Sequence, residues 1–176
     1  MVVWLTLTMS KIFRRINNQE DANYLQADLN NLCAWSKSWH LKLNPIKCKT
    51  MTFTLRTSPI VFPYLLDGHQ LERCHQMRDL GVKLDSKLTF APHVDEVVAK
   101  ANRMLGLLIR SMQTAPCMRG SKFDHRPVMT AYCAHVRSII EYGSVIWSGA
   151  ADSHLARLKR LQHRLLMWMA GRTQVR

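Results

Sequence analysis

The chain has 176 residues, 47% of them hydrophobic, and carries a formal net charge of +13 from 25 Lys and Arg against 12 Asp and Glu. That length suits one domain with a real core, and the apolar fraction excludes a disordered tail. The charge favours a polyanionic partner, because the summed field attracts nucleic acid and releases its counterions; a basic protein with no such partner is the alternative.

The first run, Met1 to Met9, is apolar but too short to span a membrane. It also lacks the basic start and cleavage pattern of a signal peptide. It predicts a buried strand, or foreign sequence joined to a truncated frame. No other stretch reaches membrane length, so an intracellular protein without an address is expected, its compartment open. Asn17 followed by Glu20 predicts a capped helix start. Leu25, Leu29, Leu32, Trp35 and Trp39 then recur at helical spacing, so residues 19–40 read as an amphipathic helix ended by Asn44-Pro45. Alternation over Met51 to Leu55 predicts a half-buried strand, and a second is expected over Val61 to Leu66. Asp67-Gly68 signals a hairpin turn, with the chain returning through His69 to His75. Met77 to Leu84 reads as one more short strand, with Gly81 allowing close backbone approach.

Helical spacing takes over at Val94, Val97, Ala101, Met104, Leu108 and Met112, with Pro92 suited to a first turn. Residues 114–126 read as a loop. Pro127 opens a helix through Ile140, broken by Gly143 and Ser148-Gly149. Asp152 or Ser153 caps a last helix whose apolar side carries Leu155, Leu158, Leu165 and Met169, and Gly171 is expected to end it.

Several residue groups could carry chemistry. Lys100, Arg103 and Arg110 share a stripe on the first of these helices, and Arg157, Arg160 and Arg164 repeat it on the last. Such stripes track a duplex backbone without reading bases, or are ordinary solvated faces; the shortage of carboxylates favours the former. Asp28, Asp79 and Asp85 are scattered and read as cap, turn or ion-pair residues. Cys117, His125, Cys133 and His135 fit no zinc template. The five cysteines form no C-x-x-C pair, so neither a disulfide framework nor a metal site is expected. Tyr132, Tyr142 and Trp147 could stack bases, but their apolar surroundings read as core.

From Lys11 onward, five blocks stand in a recognisable order. They are Lys11-Ile12-Phe13; Leu25 to Leu29 leading to Trp35-Ser36-Lys37-Ser38-Trp39; Leu43-Asn44-Pro45-Ile46-Lys47; Arg78-Asp79-Leu80-Gly81-Val82-Lys83-Leu84-Asp85; and Val136 to Trp147. Together they resemble the back half of the reverse transcriptases of non-LTR, LINE-like retrotransposons of the jockey type. In that family the catalytic hairpin reads Tyr/Phe-Ala-Asp-Asp before the Lys-Ile-Phe block. Here Thr6-Leu7-Thr8-Met9 stands in its place, so Thr8 and Met9 fill the aspartate positions. A hydroxyl and a thioether cannot replace the hard anionic oxygens that hold Mg²⁺.

The resemblance implies roles for particular residues. Lys47, with Asn44 beside it, would be the proton donor to the pyrophosphate leaving group of the ancestral enzyme, or else a solvated lysine at a strand start. Leu80, Gly81 and Val82 would form a primer-grip-like hairpin, where a glycine lets phosphates approach; a packing purpose for Gly81 is the alternative.

The expected architecture is α+β, a small antiparallel sheet with one covering helix, then a helical unit. Residues 1–18 would be a remnant or foreign segment, 19–86 a partial palm, and 87–176 a thumb-like region. The implied function is a fragment of an RNA-directed DNA polymerase, inactive by itself. No cofactor is expected for this chain, against Mg²⁺ in the intact family enzyme. The expected partner is RNA–DNA or DNA duplex bound without sequence preference, with no membrane. Self-association or chaperone capture is expected through exposed apolar surface. The alternatives are a stand-alone basic binding or interaction module and a degraded gene product.

Overall fold

The computed structural model describes residues 2–7, 10–114 and 124–173. Its fold is α+β, with strands in the first half and helices in the second. By contacts the chain divides into two units, residues 1–79 with 83–88, and residues 80–82 with 89–176.

In the first unit, β1 (Val2–Leu7) and β2 (Ser10–Arg15) form an antiparallel hairpin, with Leu7 opposite Ser10. β3 (Lys49–Phe53) runs antiparallel to β1, and β6 (Glu72–Cys74) runs parallel to β3. The strand order is β2-β1-β3-β6. Residues Val2–Leu7 of the N-terminal run are therefore an inner strand of the sheet. β3 stops at Phe53 because the next amide turns away, Thr54 N donating to Ser86 O at 3.1 Å.

Helix α1 (Gln19–Ser38) covers one face of this sheet. Its cap lies one residue later than the Asn17–Glu20 pairing predicts. Asp21 N donates to Asn18 Oδ1 at 2.8 Å, and Asp21 Oδ2 accepts from Asn18 N and Asn17 N. The buried stripe runs Ala22, Leu25, Leu29 and Ser36, against Val3, Ile16, Cys48, Tyr64, Leu66 and Leu71. Trp35 and Trp39 do not continue it. Ser36 takes the inward position at the end of the helix, its hydroxyl donating to Cys33 O at 2.9 Å. A side chain next to an inward one points about 100° away, so Trp35 stands 50% exposed and Trp39 67%. Met51, in the strand read as half-buried, is fully buried, and Phe53 is half-buried. The helix ends in a Schellman pattern, Leu41 N donating to Ser36 O and His40 N to Lys37 O. His40 fills the left-handed position, at φ 54°, where glycine is usual.

The strand expected over Val61 to Leu66 shrinks to β4 (Leu65–Leu66), which pairs with β5 (His69–Gln70). Pro59 and Pro63 lack ladder donors. Leu65 finds a substitute for a neighbouring strand in Gln26, whose side-chain amide donates to Leu65 O and accepts from Leu65 N, each at 2.8 Å. Between β4 and β5, Asp67 and Gly68 both have positive φ, 49° and 77°, as a type I′ turn requires.

Met77 to Leu84 is not one strand but two, β7 (Gln76–Asp79) and β8 (Val82–Asp85), paired as a hairpin. Leu80 and Gly81 make its turn, at φ 44° and 84°.

In the second unit, α2 (Ala91–Thr114) and α6 (Asp152–Thr173) pack together. Arg157 bonds Asp95 and Arg164 bonds Asn102, so each helix advances seven residues between rungs and the two run parallel. The helix expected from Pro127 is α3 (Arg126–Tyr132), then a π turn over Cys133–Arg137, then α4 (Ser138–Glu141). Gly143, at φ 64°, leads into the short α5 (Ser144–Trp147). α6 continues through Gly171, which sits in its last turn and does not end it. No helix among the described residues is long and apolar enough to cross a membrane.

Candidate nucleic-acid interface

The antiparallel register sets one end of the sheet. Thr6 of β1 lies between Lys11 of β2 and Lys49 of β3, and Lys49 lies beside Glu72 of β6. Both lysines are paired, Lys11 Nζ with Asp79 at 2.6 Å and Lys49 Nζ with Glu72 at 2.9 Å. The Glu72 carboxylate, by hydrogen bond and charge, holds the Lys49 ammonium above its usual range. Burial pushes the nearby Cys74 thiol up.

Lys47 stands at this same end, just before β3. A single 3₁₀ turn, Pro45–Lys47, carries it. Asn44 caps that turn: Ile46 N donates to Asn44 Oδ1 and Lys47 N to Asn44 O, both at 3.1 Å. Asn44 thus places the Lys47 backbone, while the Lys47 side chain is exposed and makes no ion pair among the described residues. Thr8 and Met9, between β1 and β2, lie outside the described residues, as does Cys117. The carboxylates nearest this end, Glu72 and Asp79, are each committed to a lysine. Among the described residues no three His, Cys, Asp or Glu side chains come together as a metal site. This donor set does not fit a pair of Mg²⁺ ions, which needs uncommitted carboxylates side by side. Asp28 holds Arg14 at 2.8 Å, and Asp85 accepts from Lys87 N at 3.3 Å in a turn.

A groove of about 410 Å³ lies beyond the end of α1, lined by Cys33, Lys37, His40 and Lys42 among others. Its basic look is partly cancelled, because Lys37 Nζ is 2.6 Å from Asp67. The pairing raises the Lys37 pKa and lowers that of Asp67, by hydrogen bond and charge.

In the second unit, Leu80, Gly81 and Val82 meet the corner that follows α4. Tyr142 Oη donates to Leu80 O at 2.8 Å. A Cβ on Gly81 would stand 2.9 Å from Tyr142 Cε1. The missing side chain therefore leaves room for a tyrosine ring, and the positive φ is a second reason for glycine. Of the three aromatic residues read as core, Tyr132 and Trp147 are buried, and burial raises the Tyr132 phenol pKa. Tyr142 is 58% exposed.

Lys100, Arg103 and Arg110 lie on the outer face of α2, opposite buried Val94, Val97, Ala101, Leu105 and Leu108. All three are exposed, and none has an ion pair among the described residues. Glu96, one turn before Lys100, is the acidic member of that face. The stripe on α6 is built differently. Arg157 reaches Asp95, and Arg164 reaches Asn102 at 3.4 Å, so both are spent on the packing of α6 against α2. Only Arg160 of that set stands exposed without such a partner. Spacing placed these arginines on one side of α6 but could not say that α2 would run beside it.

No family model matches the chain, and no solved structure does. Curated proteins do. The chain is 36% identical over 148 residues to the probable RNA-directed DNA polymerase from transposon BS of Drosophila melanogaster, covering 84% of this chain and 16% of that protein. It is 30% identical over 152 residues to the RNA-directed DNA polymerase from mobile element jockey of the same fly, with 84% and 15% covered. It is 26% identical over 139 residues to the X-element counterpart, with 78% and 14% covered. The chain thus spans about one sixth of the length of these relatives. Over more than three quarters of its residues the chain is thus related to one portion of the RNA-directed DNA polymerases of jockey-type, non-LTR retrotransposons.

Proposed function

We propose that this chain is a palm-and-thumb portion of a retrotransposon reverse transcriptase that holds duplex nucleic acid by its backbone and does not polymerise by itself. Residues 1–18 would stand in for the catalytic hairpin, 19–86 would be the partial palm, and 87–176 the thumb-like region. The carrying observation is the exposed stripe of Lys100, Arg103 and Arg110, three cations with no ion-pair partner among the described residues. Cations in this state release counterions when they meet phosphates, which binds any sequence alike. Leu80 to Val82 would be the primer-grip-like turn of the same unit. In an intact family enzyme Mg²⁺ would supply the charge that activates the primer hydroxyl and stabilises the leaving phosphate. The donors among the described residues do not fit it, and Thr8 and Met9 bring no carboxylate. Lys47 would keep the place of a proton donor with no reaction to serve.

The test uses fluorescence anisotropy of the full chain with two RNA–DNA duplexes of unrelated sequence, over a salt series. Similar affinities that fall steeply with salt are expected. A primer-extension assay on an RNA template with Mg²⁺ or Mn²⁺ should show no dNTP incorporation above a boiled control. Metal-dependent incorporation would overturn the inactive reading, and absence of binding would leave the interaction-module reading.

A second reading rests on Trp35 and Trp39, whose rings lie 6.5 Å apart on the exposed side of α1, with exposed Tyr24 about three turns further back. Contiguous exposed aromatics favour association with a second copy, another protein or a chaperone. Light scattering through a thermal melt at two concentrations should show larger particles and a lower transition at the higher one. A monodisperse, concentration-independent melt would remove this reading.

A further inference from the structure

Leu80 is an unfavourable residue for the place it holds. Its φ of 44° puts a bulky side chain in the left-handed region, where a type I′ turn normally has Asn or Gly. That side chain is 79% exposed, so its own burial does not offset the strain. Such a backbone persists only where its surroundings over-determine it. Here Tyr142 supplies a restraint beyond the hairpin itself. Tyr142 donates its hydroxyl to Leu80 O at 2.8 Å and lays its ring on Gly81. The fit is reciprocal, since a Cβ on Gly143 would stand 2.9 Å from Val82 Cγ2, and Val82 is buried. Each glycine thus makes room for a side chain of the other segment. Tyr142 is itself held, its carbonyl accepting from Trp147 Nε1 at 3.0 Å. It directly follows α4, which packs on α2. An unbroken line of contacts therefore joins the strained turn to the helix that presents Lys100, Arg103 and Arg110.

We propose that Tyr142 is a positioning residue for nucleic-acid binding: it pins the Leu80–Val82 turn to the helical unit that carries the basic stripe of α2, so that the turn's backbone is held in place when a duplex binds. The inference rests on the duplex-binding reading above. The occupant is a polyanion because, among the described residues, the outer face of α2 carries Lys100, Arg103 and Arg110 without an ion pair. A glycine-containing turn adds backbone groups that approach a strand without a charge of their own. Tyr142 then contributes position, and its loss changes affinity without changing the number of phosphates neutralised.

The test compares the full chain with Tyr142→Phe, which keeps the ring and loses the hydroxyl, and with Gly81→Ala, which displaces the ring. Hydrogen exchange at the amides of Leu80, Gly81 and Val82 is followed with and without an RNA–DNA duplex, alongside affinity over a salt series. In the parent chain the duplex should slow exchange at these amides. Both variants should speed it in the free protein and leave the amides of α2 unchanged. Both should bind the duplex about three- to tenfold more weakly, the range set by one net hydrogen bond, with the parent's salt slope. Parent affinity in Tyr142→Phe despite a loosened turn would overturn the positioning role while duplex binding stands. So would an unchanged turn, a changed salt slope, or loosening that spreads through α2. Absence of duplex binding by the parent would bring down the underlying reading as well, and is seen before any variant is made.

Discussion

Replacing Lys100, Arg103 and Arg110 together by glutamine will weaken binding of duplex DNA on the order of a hundredfold at 50 mM salt, and by the same factor for every sequence. The three cations project from the outer face of α2 with no ion pair among the described residues, so no described carboxylate holds them away from phosphate. Each phosphate neutralised contributes about 0.9 to the slope of log K against log salt, so three contacts removed should flatten it by about 2.7. Glutamine keeps the stem and the helix propensity, so the helix itself should persist. The informative control is Arg157→Gln with Arg164→Gln. These side chains are engaged with Asp95 and Asn102, so that pair should lower the melting temperature slightly and change the slope little. A triple variant with the parent's slope would reduce the stripe to a solvated face and move the binding site elsewhere.

Leu29→Ala will cost the first unit about 2–5 kcal/mol, against a total for natural domains of about 5–15 kcal/mol. Leu29 is fully buried at the centre of the α1 stripe, with Val3, Leu25 and Leu66 in the same cluster. Truncation removes the transferred methyl groups and leaves a cavity that a helix and a sheet cannot collapse to fill. Trp39→Ala, which removes roughly three times as many heavy atoms, should change stability by only about 0.5 kcal/mol because most of that ring already faces water. Urea unfolding followed by far-UV circular dichroism measures both on one scale. If Trp39→Ala proved the costlier change, the face of α1 assigned to the core would be wrong.

That contrast also marks what sequence pattern could and could not resolve. The helix from Gln19 and the turn at Asp67-Gly68 are local matters, set by spacing, a capping pair and a glycine, and they were legible. Leu25 and Leu29 were legible as core for the same reason. Trp35 was not, because hydrophobicity argued for burial while helix geometry gave the inward place to Ser36. The strand at Val61 to Leu66 was overextended, since the pattern does not reveal that Gln26 will satisfy Leu65. In the candidate site, Lys47 and the α2 stripe could be named from the chain, and the structure leaves all four side chains exposed. The partners of Arg157 and Arg164 could not, being 62 residues away in each case. Tyr142 was weighed as a base-stacking residue and set aside as core. Its real contact, a backbone carbonyl in another segment, leaves no periodic trace; the left-handed demand on Leu80 is visible only once the turn is built.

The parallel course of α2 and α6 has a kinetic consequence. Two antiparallel helices can zip together from a tight turn, each contact close in sequence to the last. Parallel neighbours have no such starting point. The first rung between Asp95 and Arg157 must close a span of 62 residues, an entropy cost of about 3.7 kcal/mol before any contact repays it. Docking of α6 should therefore be a late step, with α2 formed early and its apolar side left open to solvent meanwhile. Until then the part of α2 that α6 covers is surface in a half-assembled chain, and slower docking should divert more protein into aggregates.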